Sequence, residues 1–183
     1  MPNTYNPVRN GFAQSSYKDQ QGTALAGSLA FASDKNLVDA FIVGDVGDDG
    51  LEAGLAVIAG VATDVQRTGL NEQVVTLPAT DSTAADIAGI VVRNQQMRSN
   101  ATGHACYFAE DVCNVVRTGR SGGRVWVQLA DGAQPAIDGA VYVHTDAANA
   151  GKFATASGAS TVAITTMKFK SAAADGIALV ELM

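Results

Sequence analysis

The chain is poor in the residues that most often carry chemistry. It has two cysteines, two histidines and one tryptophan, and its 12 basic residues face 18 acidic ones for a net charge of −6. Cys106 and Cys113 are too few for the disulfide framework of a small secreted fold. They read as free, buried thiols of a reducing cytosol; a bridge across the intervening residues is possible, but nothing in the spacing demands it. An acidic chain without a basic tail binds a phosphate backbone poorly, because that binding relies on Lys and Arg, so no nucleic-acid partner is expected. No window approaches the roughly 18 apolar residues of a membrane span. The opening Met1-Pro2-Asn3-Thr4-Tyr5 lacks the basic and apolar regions of a signal peptide. No sustained amphipathic helix is legible, and no repeat aligns with itself.

The catalytic and ligand-binding motifs are missing too. Asp45, Asp48 and Asp49 invite a calcium reading, but an EF-hand loop needs acids at alternate positions and flanking helices. A tight acidic turn is the plainer expectation. His104, Cys106, Glu110 and Cys113 lack the paired clusters of a zinc site and the motif of a zinc deaminase. No Gly-x-Ser-x-Gly elbow occurs, and His144 sits where a strand ends, beside Thr145 and Asp146. Gly151-Lys152 is followed by Phe153, not by the Ser or Thr of a phosphate loop. Residues 119–124, Gly-Arg-Ser-Gly-Gly-Arg, could offer amides and arginines to an anion, but read more simply as a hairpin turn. No catalytic residue, cofactor or metal ligand is therefore assigned, and the chain is not expected to be an enzyme.

What is present is a β pattern built from small residues. The chain has 32 Ala, 20 Val and 19 Gly against 10 Leu and 7 Ile. Each buried methylene contributes only about 0.8 kcal/mol, so such a core is thin and oligomer formation would add to it. Short runs of alternating or continuous apolar residues recur, bounded by Gly, Asp and Pro. They begin at Phe41-Ile42-Val43 and include residues 55–61, 73–77, 87–93 and 111–117. The second half adds 123–129, 140–144, 152–155, 161–170 and 176–182. Residues 81–86 read as a short helical turn capped by Asp81 or Ser82. The expected fold is mainly β: a small barrel or sandwich of short antiparallel strands over residues 37–183, with residues 1–36 as an extended N-terminal arm.

Three features point to contact with partners. Tyr5, Phe12 and Tyr17 are spaced along a polar N-terminal segment, where a disordered tail would lack aromatics. Arginines cluster between Arg93 and Arg124, with Arg117, Arg120 and Arg124 closest together, while acids gather between Asp34 and Glu52. The two clusters are either solvated surfaces or complementary patches between subunits. Trp126 lies mid-strand, so Val125 and Val127 share the opposite face. One face is core and the other is open to a partner, and the pattern does not choose between them.

The order of segments resembles the structural cement (capsid decoration) proteins of tailed bacteriophages. The resemblance is carried by Gly27-Ser28-Leu29-Ala30, Glu52-Ala53-Gly54-Leu55-Ala56-Val57, Ile87-Ala88-Gly89-Ile90-Val91-Val92 and Gly103-His104-Ala105-Cys106-Tyr107. It continues through Gly123-Arg124-Val125-Trp126-Val127, Asp138-Gly139-Ala140-Val141-Tyr142-Val143 and the terminal Gly176-Ile177-Ala178-Leu179-Val180-Glu181-Leu182. It covers most of residues 22–183 as a pattern of strands and glycines. The resemblance implies a non-enzymatic protein made in the host cytoplasm and bound to the outside of the virion head. There it would cement neighbouring major capsid subunits. The implied partner is the major capsid protein; the thin core adds the chain itself as a partner, in a homo-oligomer with a three-fold or two-fold axis, of which the trimer is favoured over the dimer. The candidate interface residues are Tyr5, Phe12, Tyr17, Arg117, Arg120, Arg124 and Trp126. The alternative is a receptor-binding or tail-associated β-domain of a phage particle.

Overall fold

A computed structural model describes residues 24–32, 38–61 and 73–183. Tyr5, Phe12 and Tyr17 lie outside the described residues. The described residues form strands joined by turns, with no helix among them. In chain order the strands are β1 (Leu29–Ala32), β2 (Val38–Val43), β3 (Leu51–Glu52), β4 (Ala56–Val61), β5 (Gln73–Thr76), β6 (Ile87–Val92) and β7 (Arg98–Ser99). They continue as β8 (Ala105–Tyr107), β9 (Val112–Arg117), β10 (Gly123–Gln128), β11 (Ala140–His144), β12 (Phe153–Ala154), β13 (Thr161–Phe169) and β14 (Ile177–Leu182).

Both expected architectures occur, side by side. Strands β2, β5, β4, β6 and β9 close into a barrel, and β1, β10, β14, β13, β11 and β12 form an open six-stranded sheet in that order. A third sheet, β3-β8-β7, is small. Among the described strand pairs, pairing is antiparallel except between β2 and β5, where Ile42 aligns with Val74 in parallel; a lone parallel bridge joins Leu129 to Phe153. The barrel interior holds Phe41, Val43, Val57, Val75, Val91, Cys113 and Val115, with Leu51 and Tyr107. Its outer wall at Ala56, Ile90, Val92 and Val116 packs against Val125, Val127, Val143, Phe153, Phe169 and Val180 of the sheet. Strand β6 is thus covered on both faces, and its sequence (Ile-Ala-Gly-Ile-Val-Val) has the continuous apolar run that double burial requires. Gly89 permits the close approach of β6 to β9: a Cβ there would lie 2.1 Å from the Val116 carbonyl oxygen.

Three local expectations change. The apolar stretch that opens at Leu51 reads in the sequence as a strand running to Ala62, but Gly54 turns the chain at φ +84°, and β3 and β4 join different sheets. A Cβ on Gly54 would meet the Gly27 nitrogen at 2.9 Å, so only glycine fits where the start of β1 crosses the barrel. The 119–124 segment is not a hairpin turn, because β9 belongs to the barrel and β10 to the open sheet. It is the crossing between them, turned by Gly119 and Gly122 at φ +79° and +89°. Residues 81–86 form turns rather than a helix, with the Asp86 carboxylate accepting from the Thr83 amide and hydroxyl, each at 2.7 Å.

Candidate interaction surface

The pleat of β10 divides its side chains cleanly. Val125 and Val127 are fully buried against the barrel, whereas Arg124 is exposed and Trp126 and Gln128 are half-buried on the opposite, outward face. Across the ladder, Arg124 opposes Glu181, Trp126 opposes Leu179 and Gln128 opposes Ile177. An indole between half-buried aliphatics therefore lies on the surface, with a charged border at one end. Aromatic and arginine side chains of this kind are the usual anchors of protein interfaces.

The charged border is a network. Arg124 Nε donates to Glu181 Oε1 at 2.9 Å, and Lys170 Nζ contacts the other carboxylate oxygen at 2.9 Å and Asp138 Oδ1 at 2.6 Å. The Lys170 hydrogen bond, and then that of Arg124, hold the Glu181 carboxyl below its ordinary range. Lys170 is correspondingly raised, chiefly by Asp138. Arg117 ends β9 and Arg120 lies in the crossing to β10. Both reach the same oxygen of Asp39, at 3.2 and 3.6 Å. The Arg117 guanidinium also lies 5.9 Å from the centre of the Phe41 ring, within cation–π reach. The three candidate arginines are therefore paired within the chain, and their residual positive field is smaller than the sequence cluster suggests. Such pairs orient side chains more than they stabilise a fold.

A second polar cluster was not legible beforehand. Glu52 receives Gln128 Nε2 at 2.9 Å on one oxygen, and contacts His104 Nδ1 at 2.8 Å and Asn100 Nδ2 at 3.2 Å on the other. Burial pushes its carboxyl up, but the bonds from Gln128, His104 and Asn100 outweigh this and leave it below the ordinary value. Gln128 Nε2 also donates to the Ala53 carbonyl at 2.9 Å. The cluster ties the small sheet to β10. Its one sequence signal was a lone carboxylate at the head of an apolar stretch. Among the described residues, no group of three or more His, Cys, Asp and Glu is placed to hold a metal ion.

Cys106 and Cys113 are free and buried. Burial pushes the Cys113 thiol up to about 12, far from a reactive thiolate. Tyr107, buried beside them, donates its hydroxyl to the Val92 carbonyl at 3.1 Å, and burial raises it to about 12.

The family model of the structural cement protein (E217 gp24/Pam3 gp6) matches residues 13–183. The chain belongs to this family. Its role is structural, the stabilisation of a phage capsid, and the receptor-binding or tail-associated alternative is not favoured. In architecture the cement fold is similar to a chain from the capsid of Myoviridae phage XM1, with a TM-score of 0.66 and 24% identity over 92% of this chain and 95% of that one. That likeness shows a shared fold. Among curated proteins, none matches this sequence.

Proposed function

We propose that this cement protein binds the outer surface of a phage head as a homo-oligomer and clamps neighbouring major capsid subunits, with no catalytic activity of its own. Three copies about a local axis are favoured over two. The observation that carries the reading is the outward face of β10 and β14, where Trp126 lies among Leu179 and Ile177 while Val125 and Val127 face the core. The N-terminal arm, through Tyr5, Phe12 and Tyr17, adds a contact with a neighbouring molecule on the shell, and Arg117, Arg120 and Arg124 orient the attachment. The mechanism is mass action: a protein that binds only the assembled shell lowers the free energy of that shell relative to its separated subunits. It needs no step of bond making.

The test is co-sedimentation with heads that lack the protein, counting bound copies per shell. The intact chain is expected to co-sediment and to raise the temperature at which heads release DNA. Deleting residues 1–22 should reduce the bound copies while the β body stays folded by circular dichroism. Undiminished binding of the truncated protein would remove the arm from the interface, and failure of the intact chain to bind would remove the reading itself.

A further inference from the structure

Three cavities lie end to end on the described surface. The first, of about 500 Å³, shares the walls Leu77, Ala147 and Ala150 with the second, of about 350 Å³. The second shares Glu52, His104 and Gln128 with the third, of about 590 Å³, and the first and third share no residue. The row is therefore linear, with the Glu52–His104 pair between its second and third members. Each is an open depression whose volume falls within the roughly 300–1,000 Å³ of ligand sites, enough to seat a large side chain.

Two facts narrow the occupant. The third cavity is walled by Leu25 and Ala26, so the described chain begins at the rim of the row. Upstream lie residues 1–23, able to reach about 75 Å when extended at roughly 3.3 Å per residue. Charge agrees as well. The lining carries Asp45, Asp49, Glu52 and Asp175 against Arg93 and Lys152, while residues 1–22 carry Arg9 and Lys18 against the single acid Asp19. A row of separate pockets, finally, suits a strand-like peptide with spaced large side chains, and that segment carries Tyr5, Phe12 and Tyr17.

We infer that the row of cavities is the docking groove for residues 1–22 of a second copy of this chain. The arm aromatics fill the pockets, and Arg9 and Lys18 face the acidic lining. The inference rests on the cement reading. An arm returned to its own groove links nothing, whereas the same contact exchanged between copies ties together bodies held side by side on a shell, as in domain swapping. Exchange also turns each further arm contact into a high-effective-concentration event once the copies sit on the shell.

The experiment uses the full chain in two variants, Ala13→Cys in the arm and Ala148→Cys in the middle cavity, mixed on heads and treated with a short bismaleimide. Ala148 is exposed, and the native Cys106 and Cys113 are buried, so background reaction is small. The expected result is a cross-linked pair of chains that forms only in the mixture and drops at least several-fold when Glu52→Gln and Asp49→Asn are added to the groove-side variant. Normal decoration without any cross-link would overturn the groove. A cross-link only within a doubly substituted chain would overturn the exchange between copies. A second pair, Ser15→Cys with Thr102→Cys, serves if the first disturbs decoration. Failure of the unsubstituted chain to decorate heads is a separate result, and refutes the cement reading rather than the groove.

Discussion

The five-stranded barrel and the six-stranded sheet draw on the same small apolar residues but use them differently. In the barrel, β6 is buried on nearly every residue, because its inner side fills the barrel and its outer side meets the sheet. In the sheet, β14 alternates strictly between buried and half-buried positions. A strand covered on both faces can hold little besides Val, Ile, Ala and Gly. A strand covered on one face is free to carry Trp126, Arg124 and Glu181 outward. The barrel thus backs the sheet, and most of the surface proposed to meet a capsid lies on the sheet it supports.

Substitutions can break this division of labour, and the largest effects should come from the shared core. Phe153→Ala empties a fully buried ring site between sheet and barrel, and should cost about 3–5 kcal/mol. A fall in Tm of roughly 10 °C, read by scanning calorimetry, is expected. Gly89→Ala should be comparably damaging, since its Cβ would sit 2.1 Å from a backbone oxygen. A wild-type Tm for Phe153→Ala would mean that barrel and sheet are not mutually packed, and one for Gly89→Ala that β6 and β9 do not approach closely within the barrel.

The acid limb of stability should be next in size. Glu52 is held below the ordinary glutamate value, so its bonds to Gln128, His104 and Asn100 stabilise the fold above that value and are lost as pH falls through the lowered one. Tm should therefore fall as pH drops below about 4.3, and Glu52→Gln should lower Tm at neutral pH while flattening that fall. An identical acid slope in the variant would show that the cluster contributes nothing.

Smaller still in stability are changes on the outward face. Trp126→Ala should cost about 1 kcal/mol yet reduce attachment to heads many-fold; a variant that binds normally would move the contact elsewhere. Glutamine at Arg117, Arg120 and Arg124 should alter Tm little, because these pairs are partly open to solvent and screened by it, and should weaken attachment more at low salt than at high salt. Glutamine is preferred to charge reversal, which would set new carboxylates against Asp39 and Glu181.

Much of the strand order was legible because its signals are local. Alternation marked Gly123–Gln128 and Ile177–Leu182, and a continuous apolar run marked Ile87–Val92. Strands β3 and β7, two residues each, carry no period to read. β1 (Leu-Ala-Phe-Ala) fell within the expected arm, because only its pairing with β10 shows it to be a strand of the sheet. The crossing at 119–124 resembled a hairpin turn because Gly and Arg describe a turn, not the sheet its exit strand will join. The candidate surface was legible by residue but not by state: Arg117, Arg120 and Arg124 were visible, and their acidic partners Asp39 and Glu181, 78 and 57 residues away from Arg117 and Arg124, were not.

By itself the sequence determined a β fold of small residues, the absence of recognisable catalytic motifs, and the opposition of Trp126 to Val125 and Val127. That opposition follows from the pleat alone, a property of consecutive residues. Which side is core was decided only in three dimensions. Burial is a relation between distant segments, and it is the barrel wall at Ala56, Ile90, Val92 and Val116 that claims the two valines and leaves the tryptophan facing outward.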